Sequence, residues 1–335
     1  MAIRGFERGS APAVVIPVLD DSQRLVVALG DADSAAVLGA PGSGKTLTVV
    51  ELVADRVLNR GWSPDEVTVL TPSRAGASAL RDRLSLRLGV PTNGPLARTV
   101  NSLAFEIVTA AARRAGSELP RLVTGGEQDA DLAQLLQGHI DDDTGPHWPE
   151  KLGPDVRRLR AFRTELRELM ARATEFGVPP AQLRALGAAH DRPEWTAAAD
   201  FIDEYLDVIS TTRENQVDSA ELVRFAVAAL ATDAGERVAR LRLVVVDDLQ
   251  EATESTLALL RALAGRGVAI IALGDPDVAV NAFRGGEPDA LGRLSTVLGL
   301  PALTTLVLST VHRQSPALRE LTTRITQRVG TAAAG

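Results

Sequence analysis

Ser34-Ala35-Ala36-Val37-Leu38-Gly39-Ala40-Pro41-Gly42-Ser43-Gly44-Lys45-Thr46 is the stretch from which the fold of this chain can be read. A short apolar run over 34–38 enters a glycine-rich turn, and a helical pattern over 45–58 leaves it. Gly39 to Thr46 fits the spacing G-x-x-x-x-G-K-[ST], with Ala40, Pro41, Gly42 and Ser43 at the open positions. Glycine there lets backbone N–H groups wrap phosphate oxygens, and the following helix N-terminus adds partial positive charge. In this pattern Lys45 reaches the β- and γ-phosphates, and the Thr46 hydroxyl ligates Mg²⁺. ATP and Mg²⁺ are therefore the expected ligands.

Working outward, 67–70 reads as a second strand, and a helix through Leu88 follows Thr71-Pro72-Ser73. This βαβα rhythm predicts an α/β fold with a parallel sheet. From about 105 to 240 helical patterns dominate, at 127–136, 158–176 and 195–209. Strand patterns resume at 241–246, 268–273 and 303–308, so one sheet is expected from two distant groups of strands. The run Leu243-Val244-Val245-Val246-Asp247-Asp248 supplies the acidic strand end that a phosphate-binding turn needs. Asp247 would complete the Mg²⁺ shell, and Asp248 would orient or deprotonate the attacking water. Taken alone, the same residues read equally as an Asp-Asp turn closing a core strand.

Composition narrows the class. Of 335 residues 45% are hydrophobic and only 3% aromatic, so the core must be built mainly from Leu, Val and Ala. Cysteine is absent, which excludes disulfides, thiolate catalysis and cysteine-type zinc sites in this chain. A net charge of −7 argues against a protein that coats nucleic acid nonspecifically. The apolar stretch at 13–18 is too short for a membrane span and is broken by Pro17. It reads as a strand or packed entry segment, and a cytoplasmic location with no membrane partner is expected.

Further boxes resemble those of superfamily 1A DNA helicases, the UvrD/Rep/PcrA group, in that family's order. Asp247-Asp248-Leu249-Gln250-Glu251 is similar to its D-E-x-Q-D box, and Asp21-Ser22-Gln23 to its Q motif. Thr71-Pro72-Ser73-Arg74-Ala75 and Thr99-Val100-Asn101-Ser102-Leu103-Ala104 resemble two DNA-contacting boxes. Gly274-Asp275-Pro276-Asp277, continuing to Phe283-Arg284-Gly285, resembles motif III, and His312-Arg313-Gln314-Ser315 resembles motif IV. The resemblance implies ATP-driven movement on single-stranded DNA in repair. It implies a RecA-like first domain in two parts (1–105 and 216–300), a helical insertion (106–215) and the opening of a second RecA-like domain (301–335). Residues 120–129, 162–167 and 192–195 further resemble actinobacterial AdnA-type subunits, which act on DNA ends with an AdnB-like second subunit.

Carried over by the resemblance, Gln23 reads adenine, Arg313 acts as an arginine finger, and Gln250 couples phosphate state to the DNA cleft. Thr71, Arg74, Thr99, Asn101 and Arg284 become phosphate or sugar contacts, and Phe283 a base-stacking platform. Each also has a plainer reading. Thr71 and Thr99 suit helix caps, Arg74 and Arg313 suit solvated surface, Phe283 suits core, and Gln23 and Gln250 suit polar helix-start and turn positions.

The chain also departs from the pattern. The catalytic Glu is Asp248, the motif III glutamine is Val278, and two aromatic positions are Val100 and Asn281. No match to motifs V or VI follows Arg313, so a fragment of a longer protein is expected, one that binds nucleotide better than it hydrolyses it. A nucleotide-binding structural subunit, moved by a partner, is the rival reading.

Overall fold

The computed structural model describes residues 17–212, 216–232, 235–279 and 286–313, together with 315, 317, 318, 320, 321 and 324. Strands buried on both faces favour apolar side chains, and the predicted runs, joined by a two-residue strand at 97–98 that the sequence reading did not include, build the sheet. They form β1 (Ala35–Gly39), β2 (Val67–Leu70), β3 (Ala97–Arg98), β6 (Leu243–Val246), β7 (Ala269–Gly274) and β8 (Thr304–Leu308). The six pair in parallel in the order β3–β2–β6–β7–β1–β8. Two further strands, β4 (Arg121–Leu122) and β5 (Gln216–Val217), pair with each other alone.

Helices α1 (Asp21–Val27), α2 (Lys45–Ala54), α3 (Arg74–Leu88) and α4 (Val100–Ala115) accompany the early strands. Next come α5 (Gly125–Asp141), α6 (Pro154–Arg157), α7 (Arg160–Glu175), α8 (Pro180–Ala189) and α9 (Pro193–Thr212). The chain then runs through α10 (Ser219–Thr232), α11 (Glu236–Ala239), α12 (Glu254–Ala264) and α13 (Leu294–Leu298). Side chains alternate across each strand, so the sheet carries a core on either face. Leu243, Val245, Ile271 and Leu273 pack with Val49 and Leu52 of α2 and Leu80 and Leu84 of α3. On the other face Val244, Val246 and Ile270 pack with Ile107 of α4, Leu222 of α10 and Leu260 of α12. Each such fully buried side chain stabilises by about 1.5–3 kcal/mol. A third core joins α5, α7, α8 and α9 around Leu132, Leu166, Leu183 and Phe201. The β4–β5 pair clasps the neck where the chain enters and leaves this helical lobe.

Thr304–Leu308 pairs with β1 over five residues, so the strand pattern at 303–308 joins the same sheet as the early strands. Position 105/106 falls inside α4, whose Leu103 and Ile107 both sit in the sheet's core. Also, the helix after the glycine turn ends at Ala54 and widens into a π turn over Asp55–Asn59. Among the described residues no helix is long and apolar enough to cross a membrane.

Arg56, in that π turn, is fully buried. Its guanidinium donates to the carbonyls of Val27 (3.2 Å) and Leu29 (2.7 Å) at the C-terminal end of α1, and to Asp55 at 3.0 Å. Trp62 closes over it at 5.8 Å. Burial pulls the Arg56 pKa down, and Asp55 and Asp31 oppose that shift. Removing one partner of a buried charged network leaves the others uncompensated. Arg56→Met is therefore expected to lower stability by roughly 3 kcal/mol or more, read as a drop in thermal midpoint, while conservative changes at exposed Arg74 leave it unchanged.

Candidate nucleotide site and nucleic-acid cleft

Three adjacent strands end on one edge of the sheet. β1 runs into Gly39-Ala40-Pro41-Gly42-Ser43-Gly44, β6 into Asp247-Asp248, and β7 into Asp275. Gly42 and Gly44 have φ near +87° and +86°, a region costly for L side chains. A Cβ at Gly44 would also collide with Gln23 Nε2. The turn therefore needs glycine for both shape and space, and it delivers Lys45 and Thr46 to the first turn of α2.

Lys45 Nζ donates to the Gly39 carbonyl at 2.7 Å, and Thr46 Oγ1 donates to Asp247 Oδ2 at 3.2 Å. Asp247 is only 7% exposed. Burial, and then the neighbouring Asp248 charge, push its pKa up to about 6, against smaller opposing effects from Thr46 and Lys45. Asp247 Oδ1 and Ser43 Oγ are buried without a hydrogen-bond partner. Orphaned buried oxygens of this kind suit a missing ligand. One carboxylate and one hydroxyl fit Mg²⁺, which binds few protein oxygens and keeps phosphate and water ligands. Among the described residues no group of three or more His, Cys, Asp and Glu is arranged to hold a metal by itself.

Asp248 sits at φ +58°, in the left-handed region. Its carboxylate accepts from Gln250 Nε2 at 3.3 Å, and Gln250 Oε1 accepts from the Asp275 N–H at 3.0 Å. Gln250 is buried, so it is a bridge between the ends of β6 and β7 and not a solvated turn residue. Asp275 is buried as well, and burial raises its pKa while Lys45 opposes the shift.

Gln23 is 1% exposed, which removes the solvated reading. Its Oε1 accepts from Asp20 N at 3.1 Å and its Nε2 donates to Ser43 O at 3.2 Å. Asp20 caps α1 and also meets His312 Nε2 at 2.8 Å. His312 N–H in turn donates to Gly42 O at 2.9 Å. Arg313 is exposed, and its Cβ stands 2.9 Å from where a Cβ on Gly42 would lie. The turn is thus bracketed by the start of α1 on one side and residues 312–313 on the other. Asp20, Asp275 and His312 were not singled out individually from sequence. The spacing Asp20-x-x-Gln23 is a capping-box signal that points to Asp20.

A cleft of about 480 Å³ opens beside Asp247 and Asp248, walled by Thr71, Thr99 and Asn101 and, across it, Gln128 of α5. Thr99 caps α4, accepting from Ser102 N at 3.3 Å. Thr71 donates to Ser73 O at 2.9 Å, and Ser73, not Thr71, caps α3. Arg74 is exposed on the first turn of α3 and does not line the cleft. Val278 is 44% exposed. Asn281, Phe283, Arg284 and Gln314 lie outside the described residues.

The profile of the UvrD/REP helicase N-terminal domain matches residues 19–297. The chain belongs to the UvrD/Rep helicase family. It is 23% identical over 291 residues to the ATP-dependent DNA helicase Rep of Salmonella typhimurium, covering 83% of this chain and 39% of Rep. Similarity to the ATP-dependent DNA helicase UvrD2 of Mycobacterium tuberculosis is 26% over 326 residues, covering 93% and 43%. The RecBCD enzyme subunit RecB of the same organism matches at 25% over 284 residues, covering 73% and 26%. The chain thus spans about two fifths of the length of Rep and UvrD2.

One consequence of Asp247 is measurable without ligand. Its pKa is raised from 3.8 to about 6, so the folded state holds a proton that the unfolded state has released. The folded protein is therefore penalised increasingly as pH rises from about 4 to about 6, by roughly 3 kcal/mol at the plateau. Asp247→Asn is expected to raise the thermal midpoint of the ligand-free protein at neutral pH, with the gain vanishing near pH 4. A gain of equal size at both pH values would contradict this assignment.

Proposed function

We propose that this chain is the ATP-binding portion of a DNA translocase, coupling ATP hydrolysis to movement on single-stranded DNA. The observation that carries the reading is the Thr46–Asp247 contact at 3.2 Å, which joins the phosphate-binding turn to a buried strand-end carboxylate. Membership of the UvrD/Rep family supplies the substrate class. In this reading the six-stranded sheet, β8 included, is with α4 the RecA-like first domain, the lobe of α5–α9 is its helical insertion, and the chain beyond β8 would lead to a second RecA-like domain.

Phosphoryl transfer to water needs a held triphosphate, a placed water and charge stabilisation. The N–H groups of the glycine turn and Lys45 hold the phosphates. Thr46 and Asp247 would hold Mg²⁺, which supplies charge neutralisation when bound. Asp248 takes the water-positioning role, and Gln250 fixes its carboxylate against β7. Arg313, open to solvent beside Gly42, takes the role of arginine finger toward the outer phosphates. Gln23 braces the turn through Ser43, and its second Nε2 hydrogen and second Oε1 lone pair are left for an adenine edge. Thr71, Thr99 and Asn101 face a strand of DNA lying in the cleft; the DNA roles of Phe283 and Arg284, outside the described residues, rest on the motif resemblance alone. The intact protein would work in the cytoplasm on DNA ends in repair, with an AdnB-like second subunit.

Asp248 and Val278 favour a second reading, a nucleotide-binding subunit whose stepping is done by a partner. Asp248 is one methylene shorter than the family's glutamate, and reach decides geometry at such sites. Measuring DNA-stimulated ATP hydrolysis by the intact protein separates the two. If the chain is a motor, Lys45→Ala lowers turnover by about 100-fold or more, and Asp248→Glu equals or exceeds wild type. Turnover unchanged by Lys45→Ala would overturn the motor reading.

A further inference from the structure

The wall of the cleft opposite the sheet contains one contact that the nucleotide chemistry does not use. Helix α12 begins directly after the turn that carries Asp248 and Gln250, and the first N–H groups of a helix need acceptors from elsewhere. Its N-cap, Thr253, makes no side-chain capping bond. The Thr253 hydroxyl is instead shared with those of Ser255 and Thr256, at 3.3 and 3.2 Å. The acceptor comes from the helical lobe: Glu175, the last residue of α7, takes the Ser255 N–H on Oε1 at 2.8 Å, across 80 residues of sequence. A carboxylate at a helix N-terminus is favoured by the helix dipole, and the bond is charge-assisted.

The same few residues are tied in two more directions. Gly286 bridges to Thr253, and Glu287 N–H donates to Ala252 O at 2.8 Å, so the segment after β7 is fastened to the start of α12. Gln250, two residues before Ala252, links Asp248 to Asp275. Glu175 itself lines the cleft together with Thr99 and Asn101. Any displacement of α7 as the cleft fills pulls on the N-terminus of α12 through this bond.

We propose that Glu175 is a positioning residue that couples occupancy of the cleft to the nucleotide site, transmitting the position of the helical lobe to the turn bearing Asp247, Asp248 and Gln250. This rests on the reading that the cleft takes single-stranded DNA and that hydrolysis responds to it. Helix α7 also packs on α10, so the lobe stays attached when this one bond is lost.

The test uses the intact protein with Glu175→Ala and Glu175→Gln, assayed for ATP hydrolysis without DNA and with saturating oligo(dT). In Glu175→Ala the DNA-free rate stays within about twofold of wild type, and stimulation by DNA falls about fivefold or more. Glu175→Gln keeps an acceptor oxygen in the same place and recovers most of the stimulation. Oligo(dT) affinity, measured separately by fluorescence anisotropy, changes by less than the stimulation does, which a plain DNA contact would not show. Wild-type stimulation in both variants would overturn the proposal. So would equal proportional loss of both rates with a lowered thermal midpoint, which marks a merely structural bond. A wild-type protein whose hydrolysis ignores DNA would remove the translocase reading itself, a different result from either of these.

Discussion

Parallel pairing of β6, β7 and β1 forces turns far apart in the sequence onto one edge of the sheet. Val246 lies opposite Ala272, and Leu38 opposite Gly274, so the three strands finish nearly in register. That constraint brings Thr46 to Asp247 across 201 residues of sequence. It also leaves a gap between β1 and β6 that is spanned at the end of β7, where Asp275 accepts its place through Gln250. None of these side chains holds the others together by its own energy. Two apolar cores, one on each face of the sheet, fix the strands, and the polar edge inherits its geometry from them.

The glycine turn is further locked by polar contacts outside the sheet. Gln23 donates to Ser43, His312 N–H donates to Gly42, and Asp20 accepts from both the start of α1 and the His312 ring. Helix α1 is itself anchored at its far end by Arg56, through the carbonyls of Val27 and Leu29. A buried cation on one side of the molecule thus helps hold the residues that brace the phosphate turn on the other. Preorganisation of this kind matters because a binding loop that must order itself on ligand entry loses that ordering cost from its affinity.

What could be read from sequence follows from how local each signal is. The strand at 243–246 is a continuous apolar run, that at 67–70 is an apolar run broken only by Thr68, and the glycine spacing from Gly39 to Lys45 encodes a backbone shape, so all were legible. The helix through Leu88 was legible but its cap was not: Thr71 was the candidate, and it is the Ser73 hydroxyl that accepts from Gly76 N. The strand at 303–308 was legible too, but its place at the sheet edge beside β1 was not, because a half-exposed pattern carries no mark of which partner it pairs with. The β4–β5 clasp is two residues per strand, too short for any periodicity. Gln23 and Arg56 look like surface residues by type, and only the packing around them makes them buried. Glu175 capping a helix 80 residues away is a wholly tertiary event.

Electrostatics then decide how the site must be filled. Asp247, Asp248 and Asp275 converge on the strand ends, and Lys45 is the nearby ammonium whose charge opposes the upward shifts of Asp247 and Asp275. Three carboxylates against one ammonium leave this edge net negative, although its glycine turn is shaped for a polyanion. A bare triphosphate would meet N–H donors that attract it and carboxylates that repel it in a poorly hydrated space, where charge interactions are strongest. Asp247 already registers that conflict, since burial and the Asp248 charge hold its pKa near 6. A divalent cation bound with the nucleotide would reverse the sign, with Asp247 as the residue that would hold it. Arg313, on the open side of Gly42, adds positive charge where the outer phosphates would emerge. On the proposed function, these residues would favour nucleotide and magnesium as one joint ligand over either alone.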